Sequence, residues 1–365
     1  MIGDLVSYLI EDLFEIVSKN KESLREKISK LMEKIDAEKV KAPWLKYLAK
    51  EKNINHAASD GSANFIEYKG FVLYVIAAKA IGKINDDLII ESNFDIDILH
   101  PYRKTADRIR FYMSMFEKKV SLKFLQKHKS ELFILDGSIL GDLIRPAAYE
   151  RLPNKVQRKF IIDNYLEIIR KSIESNEFHR LLSKDYTNEI IAKTPKNKID
   201  SVIYLEYLEN LLTLKELLQH EDTVIGISKT SRTNNYFRNI HIPDMAIFEE
   251  YCRIPGFSKP ISVELENLDR YKRRFPILDE EIREIPISLF YARFTKKSPV
   301  LKFEYIGEPD KERAKEILDI LALGVVEGYP YLLRKAHREV LITRKNIEQI
   351  AKILGLYEKT GREML

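Results

Sequence analysis

The tripeptide Asp-Gly-Ser occurs twice in this chain, as Asp60-Gly61-Ser62 and Asp136-Gly137-Ser138. The second copy closes the apolar run Leu132-Phe133-Ile134-Leu135, which is too short for a helix and reads as a buried strand. The first opens into Asn64-Phe65-Ile66-Glu67-Tyr68, Gly70 and the run Phe71 to Ala78, which reads as a hairpin. Glycine after aspartate lets the backbone turn sharply at a strand edge. Two carboxylates held on neighbouring strands repel each other unless a cation lies between them. A divalent-metal site is therefore the functional reading, and two ordinary Asp-Gly turns are the plain one.

The length of 365 residues allows a large core, as one elaborated domain or two. Hydrophobic residues make up 45% and charged residues 32%, which places the chain among soluble globular proteins with more charge than usual. Abundant Lys, Glu and Ile with little Gln lean toward a thermophile's protein. The lone Cys252 excludes an internal disulfide, and no Cys/His cluster has zinc-finger spacing. The first residues lack a signal-peptide pattern, and the longest apolar run, Phe71 to Ala78, is too short to cross a bilayer. The expectation is a cytoplasmic protein with no membrane contact. The net charge of +5 permits a polyanion partner without requiring one. Basic clusters at Arg103-Lys104, Arg108 with Arg110, Arg270-Tyr271-Lys272-Arg273-Arg274 and Arg334-Lys335 with Arg338 favour nucleic acid.

Residues 1–45 read as an N-terminal helical segment. Its stripe of Leu5, Leu9, Leu13 and Ile16, then Leu24, Ile28, Leu31 and Ile35, needs a partner, its own domain or a second subunit. Packing on its own domain is the simpler arrangement. Residues 46–365 read as a single elaborated domain with a largely helical insertion at about 145–220. Within it, 63–98 is strand-rich and punctuated by Gly70 and Gly82, with Leu88 to Ser92 as a third strand. A helical period from Arg103 to Lys127 carries Ile109, Tyr112, Met113, Phe116, Val120 and Phe124 on one stripe, with Glu117 on or beside it. Short strands at 223–228, 287–294 and 300–305 and three late helices follow. Three antiparallel strands, a helix, and a fourth strand bearing the second aspartate give an α/β order. A mixed sheet covered by helices has that order, as in the ribonuclease H-like architecture. There the first and fourth strands are neighbours, which would bring Asp60 and Asp136 together.

Metal-dependent phosphodiester hydrolysis needs oxygen ligands for magnesium or manganese. Asp60 and Asp136 supply two, and Glu117 is a third candidate. Lys229, at the end of the strand Ile227-Ser228-Lys229-Thr230, suits a scissile phosphate. His337, seven residues after the helix-starting Pro330, can ligate manganese or protonate a leaving group. The bland alternatives are a solvent-reaching lysine and a structural histidine. No P-loop, dinucleotide-binding glycine loop, H-E-x-x-H or G-x-S-x-G elbow is present.

The ordered set Asp60-Gly61-Ser62, Phe133-Ile134-Leu135-Asp136-Gly137-Ser138, Ile227-Ser228-Lys229-Thr230 and Gly328-Tyr329-Pro330 through Ala336-His337 resembles the NurA nucleases of archaea and some bacteria. The resemblance implies a ribonuclease H-like fold and a manganese-dependent DNA nuclease, expected to use two ions, with magnesium as the alternative metal. It implies 5′ to 3′ degradation of single-stranded DNA, endonucleolytic cutting, a homodimeric ring, and work with the hexameric ATPase HerA in end resection for recombination repair. Asp60, Glu117, Asp136 and His337 would then be metal ligands, with Lys229 completing the catalytic set. Two other readings stand beside it. An actin-like or sugar-kinase-type phosphotransferase would need a late glycine-rich loop, and none clusters after residue 257. A non-catalytic DNA-binding scaffold would not need both aspartates, the lysine and the histidine together.

Overall fold

The computed structural model describes residues 2–32, 35–100, 103–144, 152–196, 198–263, 275, 277, 281–282 and 285–356, without the side chains of 2–10, 28–29, 31–32 and 144. The basic cluster Arg270 to Arg274, and the side chains of Leu5, Leu9, Ile28 and Leu31, lie outside this description.

The elements in order are α1 (Ile2–Met32), α2 (Ala37–Lys41), β1 (Trp44–Lys46), β2 (His56–Glu67), β3 (Val72–Ile84), β4 (Asp87–Leu99), α3 (Thr105–Lys127), β5 (Leu132–Asp136) and α4 (Ile139–Ile144). Then come α5 (Lys155–Ile161), α6 (Glu167–Glu174), α7 (Thr187–Lys193), α8 (Lys198–Leu218), β6 (Val224–Ser228), α9 (Asp244–Tyr251), β7 (Gly256–Ser258) and β8 (Ile261–Ser262). The chain continues through β9 (Ile287–Arg293), β10 (Leu301–Ile306), α10 (Lys311–Ala322), β11 (Val325–Val326), β12 (Tyr329–Pro330), α11 (Tyr331–Val340) and α12 (Arg344–Ile353).

One mixed sheet organises the described residues, in the order β1, β7, β9, β10, β6, β5, β2, β3, β4, with β8 beside β9. β5 runs parallel to both β2 and β6, and the other pairings are antiparallel. Side chains alternate between faces along each strand. Ala57, Phe133 and Leu135 face one core with Phe116 and Val120 of α3 and Leu208 of α8. Ala58, Ile134 and Ile225 face the other with Ala314 of α10 and Leu333 and Ala336 of α11. The central strands are covered on both sides, which explains their unbroken apolar runs.

The first Asp-Gly-Ser is not a turn, and this corrects the reading of that motif. β2 runs straight through it, with Asp60 opposite Lys79 and Gly61 opposite Ala78. Gly61 is demanded by a neighbour instead. A Cβ there would lie 2.9 Å from Met113 Cγ and 3.2 Å from the Met113 carbonyl oxygen of α3. Gly82 likewise sits inside β3 and punctuates nothing, because Phe124 of α3 fills the space a side chain would need. The chain reverses at Tyr68, whose N–H donates to the Phe71 carbonyl, and at Asn85-Asp86, both with positive φ (50° and 69°) in a two-residue hairpin loop. The third strand is longer than read, running without a break from Asp87 to Leu99.

α3 is pinned to α8 by two buried ion pairs, Arg108 with Glu206 and Lys119 with Glu209. Tyr112 donates a further hydrogen bond to Glu206, and the N–H groups of Leu182 and Ser183 donate to Glu209. Removing one partner of such a pair typically costs about 3–5 kcal/mol, because a charge is left buried alone. Arg108 is 2% exposed, so the expectation that it faces nucleic acid is corrected. α1 differs from its expectation too. Its described side chains from 11 to 27 are all exposed, so the stripe through Leu13 and Ile16 does not pack on its own chain.

Candidate active site

β2 and β5 place the two aspartates. Ser59 pairs with Leu135 across the parallel ladder, so Asp60 and Asp136 follow side by side, on strands about 4.8 Å apart and on the same face. Their neighbouring serines act as staples. Ser62 Oγ accepts the Ile342 N–H (2.9 Å), which fixes the joint between α11 and α12. Ser138 donates to buried Glu304 (2.8 Å) and accepts the Gly141 N–H (2.9 Å), which ties the loop after β5 to β10.

Asp60 is buried, accepts the Gly61 N–H at Oδ1 (2.8 Å) and meets His337 Nδ1 at Oδ2 (2.7 Å). An ionised carboxylate only accepts, so Nδ1 carries the proton in that pair, which leaves Nε2 as the ring nitrogen available to a ligand. The His337 side chain is 57% exposed, open to a ligand. Asp136 accepts from Lys229 Nζ at Oδ2 (2.8 Å) and from the Tyr329 hydroxyl at Oδ1 (3.4 Å). Lys229 Nζ also lies 4.7 Å from the centroid of the Tyr329 ring.

Glu117 reaches the same place from α3. It shares with Asp136 the lining of a cleft of about 140 Å³, together with Arg110, Lys118 and Asp142. A second cleft of about 370 Å³ is lined by Lys229, Glu327, Tyr329, Arg334 and His337. Asp136 stands between the two, lining the first and bonded to residues of the second.

The electrostatics are those of a site short of positive charge. Burial first, then the charge of Asp136, raise the Asp60 carboxyl above its ordinary value, against the hydrogen bonds from His337 and Gly61. Burial, then the charge of Asp60, push Glu117 well above its ordinary range; Asp136 and Asp142 add to this and Lys118 opposes it. Burial and the adjacent Asp136 raise the Tyr329 phenol, which keeps it a neutral donor. Among the described residues no three His, Cys, Asp or Glu side chains form a ready-made metal-binding group. Lys229 and His337 engage the carboxylate oxygens instead. The donor set, three carboxylates and an imidazole, nevertheless suits a hard divalent cation. Such a cation would offset the burial and the mutual repulsion that together raise Asp60 and Glu117.

The structure thus brings Asp60, Glu117, Asp136, Lys229 and His337 together. The sequence reading left Tyr329 unassigned, and Lys118 and Asp142, an ion pair at 2.6 Å beside Glu117, were not singled out. Tyr329 lay in a quoted motif, but a tyrosine before a helix reads as packing. Asp142 carries no local signal beyond its place six residues after Asp136.

Residues 55–342 match the family model described as the NurA domain. The probable DNA double-strand break repair nuclease NurA of Methanocaldococcus jannaschii is 30% identical over 370 residues, spanning 97% of this chain and 92% of that protein. The DNA double-strand break repair nuclease NurA of Saccharolobus solfataricus is 26% identical over 87% of this chain and 86% of that protein. The crystal structure of the NurA nuclease from Sulfolobus solfataricus shares the fold, with a TM-score of 0.73 at 21% identity over 94% of this chain and 96% of that one. So does a crystal structure of NurA bound to dAMP and manganese, with a TM-score of 0.70 at 16% identity over 95% and 98%.

Proposed function

Because the chain belongs to the NurA family, we propose that it is a divalent-metal-dependent deoxyribonuclease, a phosphodiester hydrolase of DNA double-strand break repair. The observation that carries this reading is the placement of Asp60 and Asp136 one residue beyond the Ser59–Leu135 pair of two parallel strands, with Glu117 close enough to feel the charge of both. Asp60, Glu117, Asp136 and His337 would hold manganese, as two ions, with magnesium as the alternative. When bound, the metal supplies positive charge at the scissile phosphate and activates water.

The chain's own residues do the rest. Lys229, held at Asp136 in the absence of DNA, turns its ammonium to the phosphate as negative charge develops there. Tyr329 keeps Asp136 and Lys229 in register through its hydroxyl and ring. His337, oriented by Asp60 at Nδ1, offers Nε2 as ligand or proton donor to the leaving oxygen.

β2 to β6 with α3 form a ribonuclease H-like core in this reading, and residues 46–365 act as one nuclease domain with 145–220 inserted. The substrate is DNA, degraded 5′ to 3′ as a single strand and also cut internally. The working assembly is a cytoplasmic homodimer on a HerA-type hexameric ATPase, engaged in end resection. Two uncovered apolar surfaces support an assembly: α1 with Leu13, Phe14, Ile16 and Val17, and a row on edge strand β4 with Leu88, Ile90, Phe94, Ile96 and Ile98. Among the described residues no helix is long and apolar enough to cross a membrane.

Cleavage of a labelled single-stranded oligonucleotide, with manganese and then with EDTA, tests the reading. Cutting that needs the metal is expected. ATP hydrolysis by the isolated chain with no DNA cleavage would favour a phosphotransferase instead.

A further inference from the structure

We infer that Arg110 grips the DNA phosphate next to the one under attack, and so determines that the substrate must be a polynucleotide; this rests on the nuclease reading. Arg110 precedes Glu117 by seven residues on α3, two helical turns, so both side chains lie on one face of the helix. Both line the cleft that holds Asp136. The separation along the axis is about 10 Å at 1.5 Å per residue. That puts the guanidinium beyond the reacting centre and along the groove from it.

The neighbouring cations are all spoken for. Lys118 is paired with Asp142, Lys229 with Asp136, and Arg334 with Glu327. Among the described cations lining the two clefts, Arg110 alone has no hydrogen-bonding or ion-pair partner. It is exposed, and the other charged residues of its cleft are three carboxylates, Glu117, Asp136 and Asp142, and the paired Lys118. A free guanidinium there has one complementary ligand class, an oxyanion delivered with the substrate, and a planar fork matches two phosphate oxygens. Lys229 and Arg334 stand on the far side of Asp136. A strand crossing Asp136 therefore meets cations on both sides, with Arg110 taking the flanking phosphate.

The test compares an oligonucleotide with bis(p-nitrophenyl) phosphate, which has a phosphodiester but no flanking phosphate, both with manganese. Arg110→Ala is expected to raise KM for the oligonucleotide roughly tenfold with kcat little changed, and to match the wild type on bis(p-nitrophenyl) phosphate. Arg110→Lys should recover part of the loss, since it keeps the charge without the fork. A methylphosphonate at the flanking position should raise the wild-type KM to the variant's. An unchanged oligonucleotide KM, or an equal loss on both substrates, overturns the proposal. If the wild type cleaves neither substrate, the nuclease reading fails first. Fluorescence anisotropy of the oligonucleotide without metal then decides on Arg110: weaker binding by Arg110→Ala supports it, and equal binding overturns it.

Discussion

At Asp60 a single carboxylate answers to a backbone amide, a histidine and a second aspartate at once. Asp60→Ala and Asp136→Ala are each expected to abolish DNA cleavage while the fold survives, and removing the repulsion should stabilise the metal-free protein. Full activity in either variant would remove the assigned site. Lys229→Ala should lower kcat about 100- to 1,000-fold, the scale for losing one transition-state donor, with manganese affinity changed far less. Calorimetry beside kinetics separates the two, and weakened metal binding with intact turnover would contradict the role. The pH dependence has a definite sign. The Asp60 carboxyl is raised above its ordinary value and that of Glu117 well above, so the folded metal-free protein holds those protons more tightly than the unfolded chain. Their stabilisation is present below about pH 4 and is lost as pH rises through the raised values. In EDTA, Glu117→Gln should flatten the fall of Tm with rising pH relative to wild type; a constant offset between the two curves would refute this. Both aspartates were legible because Asp-Gly-Ser is a local signal. Tyr329 was not, because its role comes from reaching Asp136 across 193 positions of sequence.

The elements show why the reading of Gly61 went astray. A glycine after an aspartate signals a turn locally, and only the approach of α3 makes it a mid-strand necessity. Gly61→Ala should cost about 1–3 kcal/mol, the usual scale of overpacking. It should also lower activity beyond that cost, because Met113 stands one turn before Glu117 on the displaced helix. Urea denaturation alongside kinetics reads both, and wild-type stability and activity together would show that the contact carries no strain. The long helices were readable from their periods, and the long strands in place though not in extent, since β4 runs well beyond Leu88 to Ser92. β1 and β7 were not, since three residues each give no period, and their pairing extends the sheet beyond β9 through tertiary contact alone.

For the whole molecule, the surface carries features that one chain leaves without partners. Five large apolar side chains stand in a row on β4, and the described apolar side chains of α1, Leu13, Phe14, Ile16, Val17 and Leu24, are exposed. Neither was foreseeable in full: the stripe on α1 was visible, but only the fold tells that its own domain leaves it uncovered. Light scattering should report a dimer, and Phe94→Asp with Ile96→Asp should weaken it while the aspartate site stays intact. A wild type that is monomeric across micromolar concentrations would end the assembly reading and leave the nuclease reading standing. DNA affinity of a catalytically silent variant should fall steeply between about 50 and 200 mM salt as phosphate contacts release counterions; a flat profile would argue against a cationic track. The central claim is that Asp60, Glu117 and Asp136 form one metal centre, and manganese titration calorimetry on wild type, Asp60→Ala and Asp136→Ala tests it most directly. Saturable binding in the wild type, lost or strongly weakened in each variant, is the predicted result. Unchanged manganese affinity in both variants would contradict it.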